Sequence, residues 1–237
     1  MSDLKVSVIG YGKMGELIHH TAIQNGIEIV SMVDPRIEDM FNSISELSIG
    51  HADVCIDFTT PESVLNNVRK LSSLGKNIVV GTTGWENNHL SEVRRIVESS
   101  DVGLIYSSNF SVGANIYFAV IERLLKISSE KEYELSGIEM HHKEKKDKPS
   151  GTARTLEKMI KEITGRNLEF QSIREGGIKG VHTLRFDSEY DFIEVTHSAK
   201  NRSGFAYGAL IAAEFIKDKK GFYGPNDFRR YLLEERK

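Results

Sequence analysis

The chain has 237 residues, of which 39% are hydrophobic, enough to build the core of one large domain or of two small ones. Its formal net charge at pH 7 is −3 and charges of both signs are interspersed, which argues against a nucleic-acid-binding surface spread over the protein. No apolar run approaches the roughly 20 residues that a membrane helix needs, and the N-terminus has no signal-peptide pattern. We therefore expect a cytoplasmic protein that binds neither nucleic acid nor membranes.

Short apolar runs alternate with helical patterns in the first part of the chain. The runs that indicate strands are Val6–Ile9, Ile27–Val33, Val54–Phe58, Ile78–Val80 and Gly103–Tyr106. The helical patterns between them cover Gly12–Asn25, Pro61–Leu74 and His89–Ser99. This alternation predicts βαβ units and a parallel sheet that is buried on both faces.

A glycine-rich loop follows the first predicted strand. In a dinucleotide-binding fold the first glycine permits a tight turn, the second lets the backbone approach the pyrophosphate, and the third lets the helix pack against the strand. Gly10, Gly12 and Gly15 suit these three roles. Such a loop alone is weak evidence, because glycine-rich turns also follow strands for purely structural reasons. The cofactor contacts that it predicts are Gly10, Tyr11, Gly12, Lys13, Met14 and Gly15.

Asp34 follows the second predicted strand, about 20 residues after the loop, where a carboxylate binds the ribose hydroxyls of NAD. As the residue before Pro35 it also suits the role of a turn-forming aspartate. Arg36 and Lys13 are close enough in sequence to meet a 2′-phosphate. Asp34 therefore favours NADH as the cofactor, while Arg36 and Lys13 leave NADPH as an alternative.

A second glycine-flanked loop, Gly81–Gly84, follows the fourth predicted strand. It lies at the carboxyl edge of the sheet, where open α/β sheets bind their ligands. We interpret it as part of a nicotinamide pocket, with a plain turn as the alternative.

The pattern changes after residue 111. A long helical stretch runs to about Ile127, the apolar stretch Ala206–Ile216 predicts a final helix, and the polar tail after it is expected to pack back on the first domain. Four further strands are predicted at Tyr133–His142, Phe170–Arg174, Gly180–Ser188 and Asp191–Ser198, and a helix is predicted at Ser150–Thr164. Together these patterns predict an α/β protein of two domains. The first is a Rossmann-like dinucleotide-binding domain at 1–109, to which 205–237 is expected to return. The second is a smaller α+β domain at 110–204, whose antiparallel signals indicate a mixed, largely antiparallel sheet.

Two adjacent histidines, His141 and His142, stand in a basic run that ends at a helix start. They suit zinc ligands, surface side chains or acid–base groups. Adjacent side chains on a strand point to opposite faces, so the pair would not easily share a metal ion, and we expect no metal site. Lys145 can donate a proton or pair with a carboxylate, and the N–H groups of 150–152 can hold an anion. The run therefore predicts an active site for a small anionic substrate.

The segment Glu139–Thr152 has the pattern Glu-X-His-His-X-X-Lys-X-Asp-X-Pro-Ser-Gly-Thr, which is far more specific than a glycine loop. The other motifs that carry the resemblance are the N-terminal glycine loop, Gly81–Gly84, Asn109–Gly113, Ser172–Gly176, Gly180–His182 and His197–Arg202. Over nearly the whole chain these motifs resemble the dihydrodipicolinate reductase (4-hydroxy-tetrahydrodipicolinate reductase) family. The chain departs from the family in being rather short, in a glycine loop one residue shorter than the usual Gly-X-X-Gly-Arg-Met-Gly, and in Lys13 where arginine is usual.

The resemblance implies that His141 is the acid–base residue and Lys145 the proton donor. It implies substrate contacts by His142, Gly151 and Thr152, to which the helix start adds Ser150. The residues that it places against the nicotinamide are Gly81, Thr82, Thr83, Ser107, Ser108, Asn109 and Phe110.

The family's reaction is the reduction of a cyclic, unsaturated imine dicarboxylate to tetrahydrodipicolinate by NADH or NADPH, in the diaminopimelate and lysine pathway. The resemblance also implies a homotetramer built through the sheet of the smaller domain. Closure of that domain over the cofactor predicts hinges near Phe110–Gly113 and Arg202–Gly204.

Three rival interpretations remain at the level of the sequence. An aldehyde dehydrogenase needs a catalytic thiol, but the single Cys55 lies in an apolar predicted strand, where we expect it to be buried and inert. An amino-acid dehydrogenase of similar two-domain plan is the second rival. The third is a non-catalytic NAD(H) sensor, in which His141 and Lys145 could be replaced without loss of function.

Overall fold

The computed structural model describes residues 3–128 and 133–235. These residues divide into two compact units, one made of those up to Val112 together with those from Ser203 onward, and the other made of Gly113–Arg202. The observed divisions lie a few residues from the predicted ones at 109/110 and 204/205. Within the described ranges, every helix is too short or too polar to cross a membrane.

The first unit is built on a six-stranded sheet in which all neighbours are parallel. Five strands come from the N-terminal part of the chain and are β1 (Lys5–Ile9), β2 (Glu28–Val33), β3 (Val54–Asp57), β4 (Asn77–Val80) and β5 (Gly103–Tyr106). The sixth is Gly221–Tyr223 from the C-terminal part, which is β10 in chain order. The spatial order β10-β5-β4-β3-β1-β2 confirms the predicted Rossmann-like sheet.

Helices cover both faces of this sheet. They are α1 (Lys13–Gln24), α2 (Glu46–Ile49), α3 (Pro61–Ser73), α4 (Glu86–Glu98), α7 (Ser203–Ile216) and α8 (Pro225–Arg230), followed by a π-helical turn at Tyr231–Glu235. Alternate strand residues enter two separate cores, so that Val54 and Ile56 pack with α1 and α7, while Cys55 packs with α3 and α4. Cys55 is fully buried, and burial raises the pKa of its thiol to about 12, as expected of an inert cysteine.

The second unit has a four-stranded sheet of order β7-β6-β8-β9. Its elements are α5 (Val112–Ser128), β6 (Glu134–His141), α6 (Gly151–Thr164), β7 (Gln171–Arg174), β8 (Val181–Asp187) and β9 (Phe192–Ser198). β6 and β7 are parallel and the other neighbours are antiparallel, which confirms the predicted mixed sheet. One sheet face packs on α5 and α6. On β8 this face consists of residues 182, 184 and 186, which are buried while their neighbours in sequence are half-buried.

Several elements differ from the sequence prediction, and for α4 and β10 the reasons are local. The helix predicted at His89–Ser99 begins at Glu86, because its first turn is polar and shows no apolar period. Pairing of Gly221–Tyr223 with β5 was not predicted, because a three-residue strand carries too little pattern to be read without its partner.

Candidate active site

The glycine loop of the first unit has the geometry that its spacing predicts. Gly10 has φ +86°, and a Cβ on it would lie 2.6 Å from the Phe58 carbonyl oxygen. A Cβ on Gly15 would lie 2.1 Å from the Gly10 carbonyl oxygen, so the helix approaches the loop as closely as backbone permits. Gly12, the N-cap of α1, has open space around its Cβ position. The space before α1 therefore suits the approach of a dinucleotide phosphate.

The remaining residues of this loop have different surroundings. Tyr11 donates its N–H to Asp34 over 2.9 Å, and its hydroxyl lies 2.5 Å from His19 Nδ1 on α1. Lys13, the first residue of α1, is exposed, whereas Met14 packs against the core. The exposed Lys13 side chain is thus accessible to an anion, whereas Tyr11 and Met14 pack the loop against the rest of the unit.

Asp34 is a buried carboxylate whose hydrogen bonds are made by nearby donors. Its oxygens accept the Tyr11 N–H, the Arg36 N–H at 3.0 Å, Arg36 Nε at 3.0 Å and Arg36 Nη2 at 2.8 Å. Hydrogen bonds from the Arg36 side chain outweigh burial and hold the pKa of Asp34 well below its usual range. The Arg36 side chain is 73% exposed. Asp34 is therefore ionised. Its carboxylate, which the sequence predicts to bind the ribose hydroxyls, is hydrogen-bonded to Arg36.

A cavity of about 300 Å³ lies beside this pair. Two cationic side chains, Arg36 and Lys70, are among its walls. The hydroxyl and amide side chains of the lining are Asn42, Ser43, Thr59, Thr60, Ser63 and Asn67. A polar cavity with two cations, next to the end of β2, suits the sugar end of an anionic nucleotide.

The predicted nicotinamide residues divide into exposed and buried side chains. Thr83 and Ser108 are exposed, whereas Thr82 is buried. Phe110 is 2% exposed and packs edge-on against Phe228 at a ring distance of 5.1 Å. Phe110 and Thr82 therefore support the loops from inside.

Ser107 and Asn109 form a tight local turn after β5. Ser107 Oγ donates to the Asn109 carbonyl at 3.0 Å and accepts the Asn109 N–H at 3.1 Å. Asn109 Oδ1 in turn accepts the Ser111 N–H at 2.9 Å. The turn sets the path of the backbone between β5 and α5, and Gly81 lies at the end of the neighbouring strand β4.

Strand register brings together five polar side chains on the core-facing side of the second sheet. β6 pairs with β8 so that Glu139 is opposite His182, and β8 pairs with β9 so that His182 is opposite His197. β6 pairs with β7 so that His141 is beside Arg174. Same-face spacing then places His141 next to Glu139.

Glu139 is the centre of this cluster, and its side chain is fully buried. Its Oε2 lies 2.5 Å from His141 Nδ1, and its Oε1 lies 2.6 Å from Arg174 Nη2. Because a carboxylate only accepts, His141 Nδ1 is assigned the proton, and Nε2 is the atom left for chemistry. A Cβ on Gly180, where φ is +146°, would lie 3.0 Å from that Nε2. A glycine at residue 180 therefore keeps Nε2 accessible.

The charges of the cluster follow from burial and from these contacts. Burial raises the pKa of Glu139, but the Arg174 and Ser172 hydrogen bonds and the neighbouring charges outweigh it and leave that pKa lowered. Burial also lowers the pKa of His141, more than the opposing effect of Glu139. Burial lowers the pKa of His182 to about 3. Near neutral pH the cluster thus holds one anion, one guanidinium and neutral imidazoles.

The two adjacent histidines of the sequence are separated in the structure. His142 is half-buried just past the end of β6, and the imidazole beside His141 belongs to His182, with a ring distance of 5.1 Å. Lys145 Nζ lies 2.8 Å from Asp147 Oδ1, and the charge of Lys145 contributes to the lowered pKa of His141. The positive charge of Lys145 therefore acts on the His141 imidazole.

The N-terminus of α6 is tied to the same cluster. Ser150 Oγ accepts the Ala153 N–H at 3.3 Å and lies 2.9 Å from His182 Nε2. Gly151 is exposed with open space at its Cβ position, and Thr152 is half-buried. A helix N-terminus beside Lys145 and His141 is a favourable site for a carboxylate.

The ligand atoms of Glu139, His141 and His182 lie within 4.8 Å of one another, which raises the question of a metal ion. These three residues lie on one face of the sheet, so the opposite-face geometry that separates His141 from His142 does not exclude a shared metal ion here. However, Glu139 already contacts the Arg174 guanidinium and the protonated Nδ1 of His141. A dication at this carboxylate would face that guanidinium, so the contacts favour acid–base chemistry.

From the sequence, no role was predicted for Glu139, Arg174, His182 or His197. Each of them lies in a segment that carries the family resemblance, so a signal was present. The i, i+2 spacing of Glu139 and His141 on one strand also predicts a shared face. Arg174, His182 and His197 depend on register between strands far apart in sequence, which the sequence alone does not show.

A glycine loop at the carboxyl edge of a parallel sheet, together with a buried carboxylate–imidazole–guanidinium cluster in a separate unit, is typical of NAD(P)H-dependent oxidoreductases. Family models make this class specific. The model described as dihydrodipicolinate reductase, N-terminus, matches residues 4–110, and the model described as its C-terminus matches residues 113–228. The chain belongs to the dihydrodipicolinate reductase family, as the motif resemblance predicts.

Individual relatives agree with the family models. A protein of Christiangramia forsetii is 34% identical over 237 residues, covering 94% of this chain and 97% of the relative. A protein of Thermosipho africanus is 35% identical over 224 residues, covering 93% of this chain and 95% of the relative. Both are named 4-hydroxy-tetrahydrodipicolinate reductase.

A solved structure supports the fold. The dipicolinate-bound dihydrodipicolinate reductase from Paenisporosarcina sp. TG-14 superposes with a TM-score of 0.80 at 23% sequence identity. The match covers 94% of this chain and 98% of that chain. The α/β fold with a Rossmann-like sheet and a second mixed sheet is therefore shared over almost the whole length.

Proposed function

We propose that this chain is a 4-hydroxy-tetrahydrodipicolinate reductase, which uses NADH or NADPH to reduce a cyclic imine dicarboxylate to tetrahydrodipicolinate. The observation that carries the proposal is the buried Glu139–His141 pair beside the N-terminus of α6, in a chain whose relatives bear this name. The reaction belongs to the diaminopimelate and lysine pathway, and we place it in the cytoplasm.

The first unit supplies the groups that would hold the nucleotide. They are the backbone of the glycine loop, Lys13, the Asp34–Arg36 pair, and the loops that begin at Gly81 and Ser107. The open space at Gly12 and the polar cavity beside Arg36 support this assignment. When bound, a reduced nicotinamide supplies a hydride to the substrate.

The second unit supplies proton transfer. Reduction of a conjugated C=N system places negative charge on nitrogen, so a proton donor at that atom lowers the barrier. Lys145 is such a donor, held by Asp147 at 2.8 Å. Glu139 fixes the ring of His141 and keeps Nε2 as its reactive atom, beside Gly180, where a side chain would crowd that nitrogen.

The start of α6 supplies the substrate-carboxylate site. The helix dipole and the N–H groups of Ser150, Gly151 and Thr152 favour an anion, and Lys145 adds a positive charge. Because Gly151 projects no side chain, the backbone at this point is accessible. His142 completes the proposed set of substrate contacts.

Turnover is tested with NADH and with NADPH, using substrate made in place from pyruvate and aspartate semialdehyde by the preceding synthase. We expect nucleotide oxidation that depends on both precursors and on the synthase. Nucleotide binding without any turnover would contradict the proposal and would leave the sensor or another substrate.

Arg36 provides a test of cofactor choice. Replacing Arg36 by alanine leaves the buried, ionised Asp34 without its cation, and this carboxylate then repels a 2′-phosphate but accepts ribose hydroxyls. We expect KM for NADPH to rise about ten-fold, as for loss of a charge-assisted contact, while KM for NADH stays the same or falls.

The matched control for this experiment is Arg69→Ala, which removes an exposed arginine on α3 that pairs with Glu92. Both variants are compared with wild type for the two nucleotides. Equal changes in the two KM values for Arg36→Ala would contradict a role in cofactor discrimination.

We also propose a homotetramer that forms through the second sheet. Ile138 and Phe192 are 39% and 56% exposed, and both lie on the sheet face opposite α5 and α6. These side chains are available for contacts between copies of the chain. Light scattering of the purified protein measures the assembly directly.

A further inference from the structure

Asp57, the last residue of β3, is a fully buried carboxylate that has no role in the function proposed above. Its Oδ1 accepts the Thr59 N–H at 3.0 Å and the Thr59 hydroxyl at 2.7 Å, and the Thr82 hydroxyl lies 3.3 Å from the same oxygen. Its Oδ2 accepts Asn67 Nδ2 at 2.9 Å. Burial raises the pKa of Asp57, and these hydrogen bonds oppose that shift. Each oxygen of the carboxylate thus accepts at least one hydrogen bond.

These donors join two loops at the carboxyl edge of the sheet. The Thr59 N–H also donates to Thr82 Oγ1 at 2.8 Å, and the Gly81 N–H donates to the Asp57 carbonyl at 2.9 Å. The Thr82 carbonyl in turn accepts Trp85 Nε1 at 2.9 Å. Asp57 therefore links the loop after β3 with the loop after β4.

The loop after β3 also touches the glycine loop after β1. Phe58 donates its N–H to the Ile9 carbonyl at 2.9 Å, and its own carbonyl is 2.6 Å from the Cβ position of Gly10. On the other side, the Phe58 ring is 2.0 Å from the Cβ position of Gly81. The Phe58 carbonyl and ring therefore fill the space that a side chain on Gly10 or Gly81 would need, so the middle loop packs directly against both of its neighbours.

We propose that Asp57 is a positioning residue of the nucleotide site, which fixes the middle loop and through it the two glycine loops. The inference rests on the proposed function for the role of those loops. An aspartate suits the position because all of the groups around its carboxylate are donors, whereas an asparagine would turn its own N–H₂ towards one of them. If Asp57 only stabilised the core of the first unit, its replacement would lower the melting temperature without changing Kd for the nucleotide.

The test is Asp57→Asn, with nucleotide affinity measured by direct fluorescence titration of NADPH in the absence of substrate. We expect Kd for NADPH to rise about ten-fold or more, because one donor is left facing another donor and the loops separate. KM for the cyclic substrate should stay close to the wild-type value, since the substrate residues belong to the other unit. Thr59→Val, which keeps the shape but removes one hydroxyl donor, should raise Kd by a smaller factor.

Ser7→Ala is the matched control for buried polarity. Ser7 is fully buried on β1, and its Oγ lies 2.7 Å from Ser31 Oγ, in the same sheet but outside the loops. We expect Ser7→Ala to lower the melting temperature without changing Kd for NADPH. A wild-type Kd in Asp57→Asn, despite a lowered melting temperature, would overturn the proposal.

Should Asp57→Asn fail to fold, Thr59→Val decides the question, and an unchanged Kd in that variant would equally overturn the proposal. Failure of the proposed function has a separate signature. Wild-type protein that binds NADPH but does not turn over would remove the reductase assignment, whereas the titration of the loop variants reports on nucleotide binding alone.

Discussion

Replacement of His141 by glutamine, or of Lys145 by alanine, is expected to lower kcat roughly 10²–10⁴-fold, the range for loss of a general acid–base group. His141 Nε2 is the reactive atom of the Glu139-held imidazole, and Lys145 carries the proton to be donated. Affinity for NADPH should be unchanged, because both residues belong to the second unit. Steady-state kinetics together with nucleotide titration separate the two quantities.

Two controls match these substitutions in chemistry but not in position. His20→Gln changes a histidine that is 63% exposed on α1, and Lys158→Ala removes a lysine that is 76% exposed on α6. Neither residue belongs to the cluster, so both controls should retain wild-type kcat. Wild-type turnover in His141→Gln and Lys145→Ala as well would exclude the acid–base assignment.

Glu139→Gln is expected to impair both catalysis and stability. The carboxylate holds His141 in one tautomer and balances the buried Arg174, so a neutral amide removes both effects. We expect kcat to fall roughly 10²-fold, as for a misdirected acid–base group. We expect the free energy of unfolding to fall by about 3 kcal/mol, the lower end for breaking a buried ion pair from one side.

Glu134→Gln makes the same chemical change on the same strand at an exposed position. Urea unfolding and kcat are measured for both variants under one set of conditions. We expect the control to stay within about 0.5 kcal/mol of wild type, as surface substitutions usually do. If the two variants behave alike, Glu139 neither positions His141 nor stabilises the second unit.

Much of the first unit could be predicted from the sequence because its strands are buried on both faces. Such strands appear as uninterrupted apolar runs, and Gly103–Tyr106 matches its predicted bounds. Elements with little local signal were not predicted, such as the four-residue helix Glu46–Ile49 and the strand Gly221–Tyr223. Four residues are too few to show a helical period, and the strand forms only by pairing with β5, which is distant in sequence.

The candidate site divides in the same way. Gly10 and Gly15 were predictable because a tight turn and a close helix approach are local demands on the backbone. The partner of His141 was not, because His182 reaches it only through the register of β6 and β8. The contact of Asp34 with Arg36 was also missed, since sequence proximity permits that pair but does not require it.

The first unit is assembled from both ends of the chain, and this has a consequence for synthesis on the ribosome. Until α7 has emerged, the core face of β1 and β3 that it covers lacks its apolar partner, and β5 is an open sheet edge until β10 arrives. The inserted second unit has all of its strands by Ser198 and can fold first. The nucleotide unit therefore completes last, and the nascent chain carries an aggregation-prone face through most of its translation.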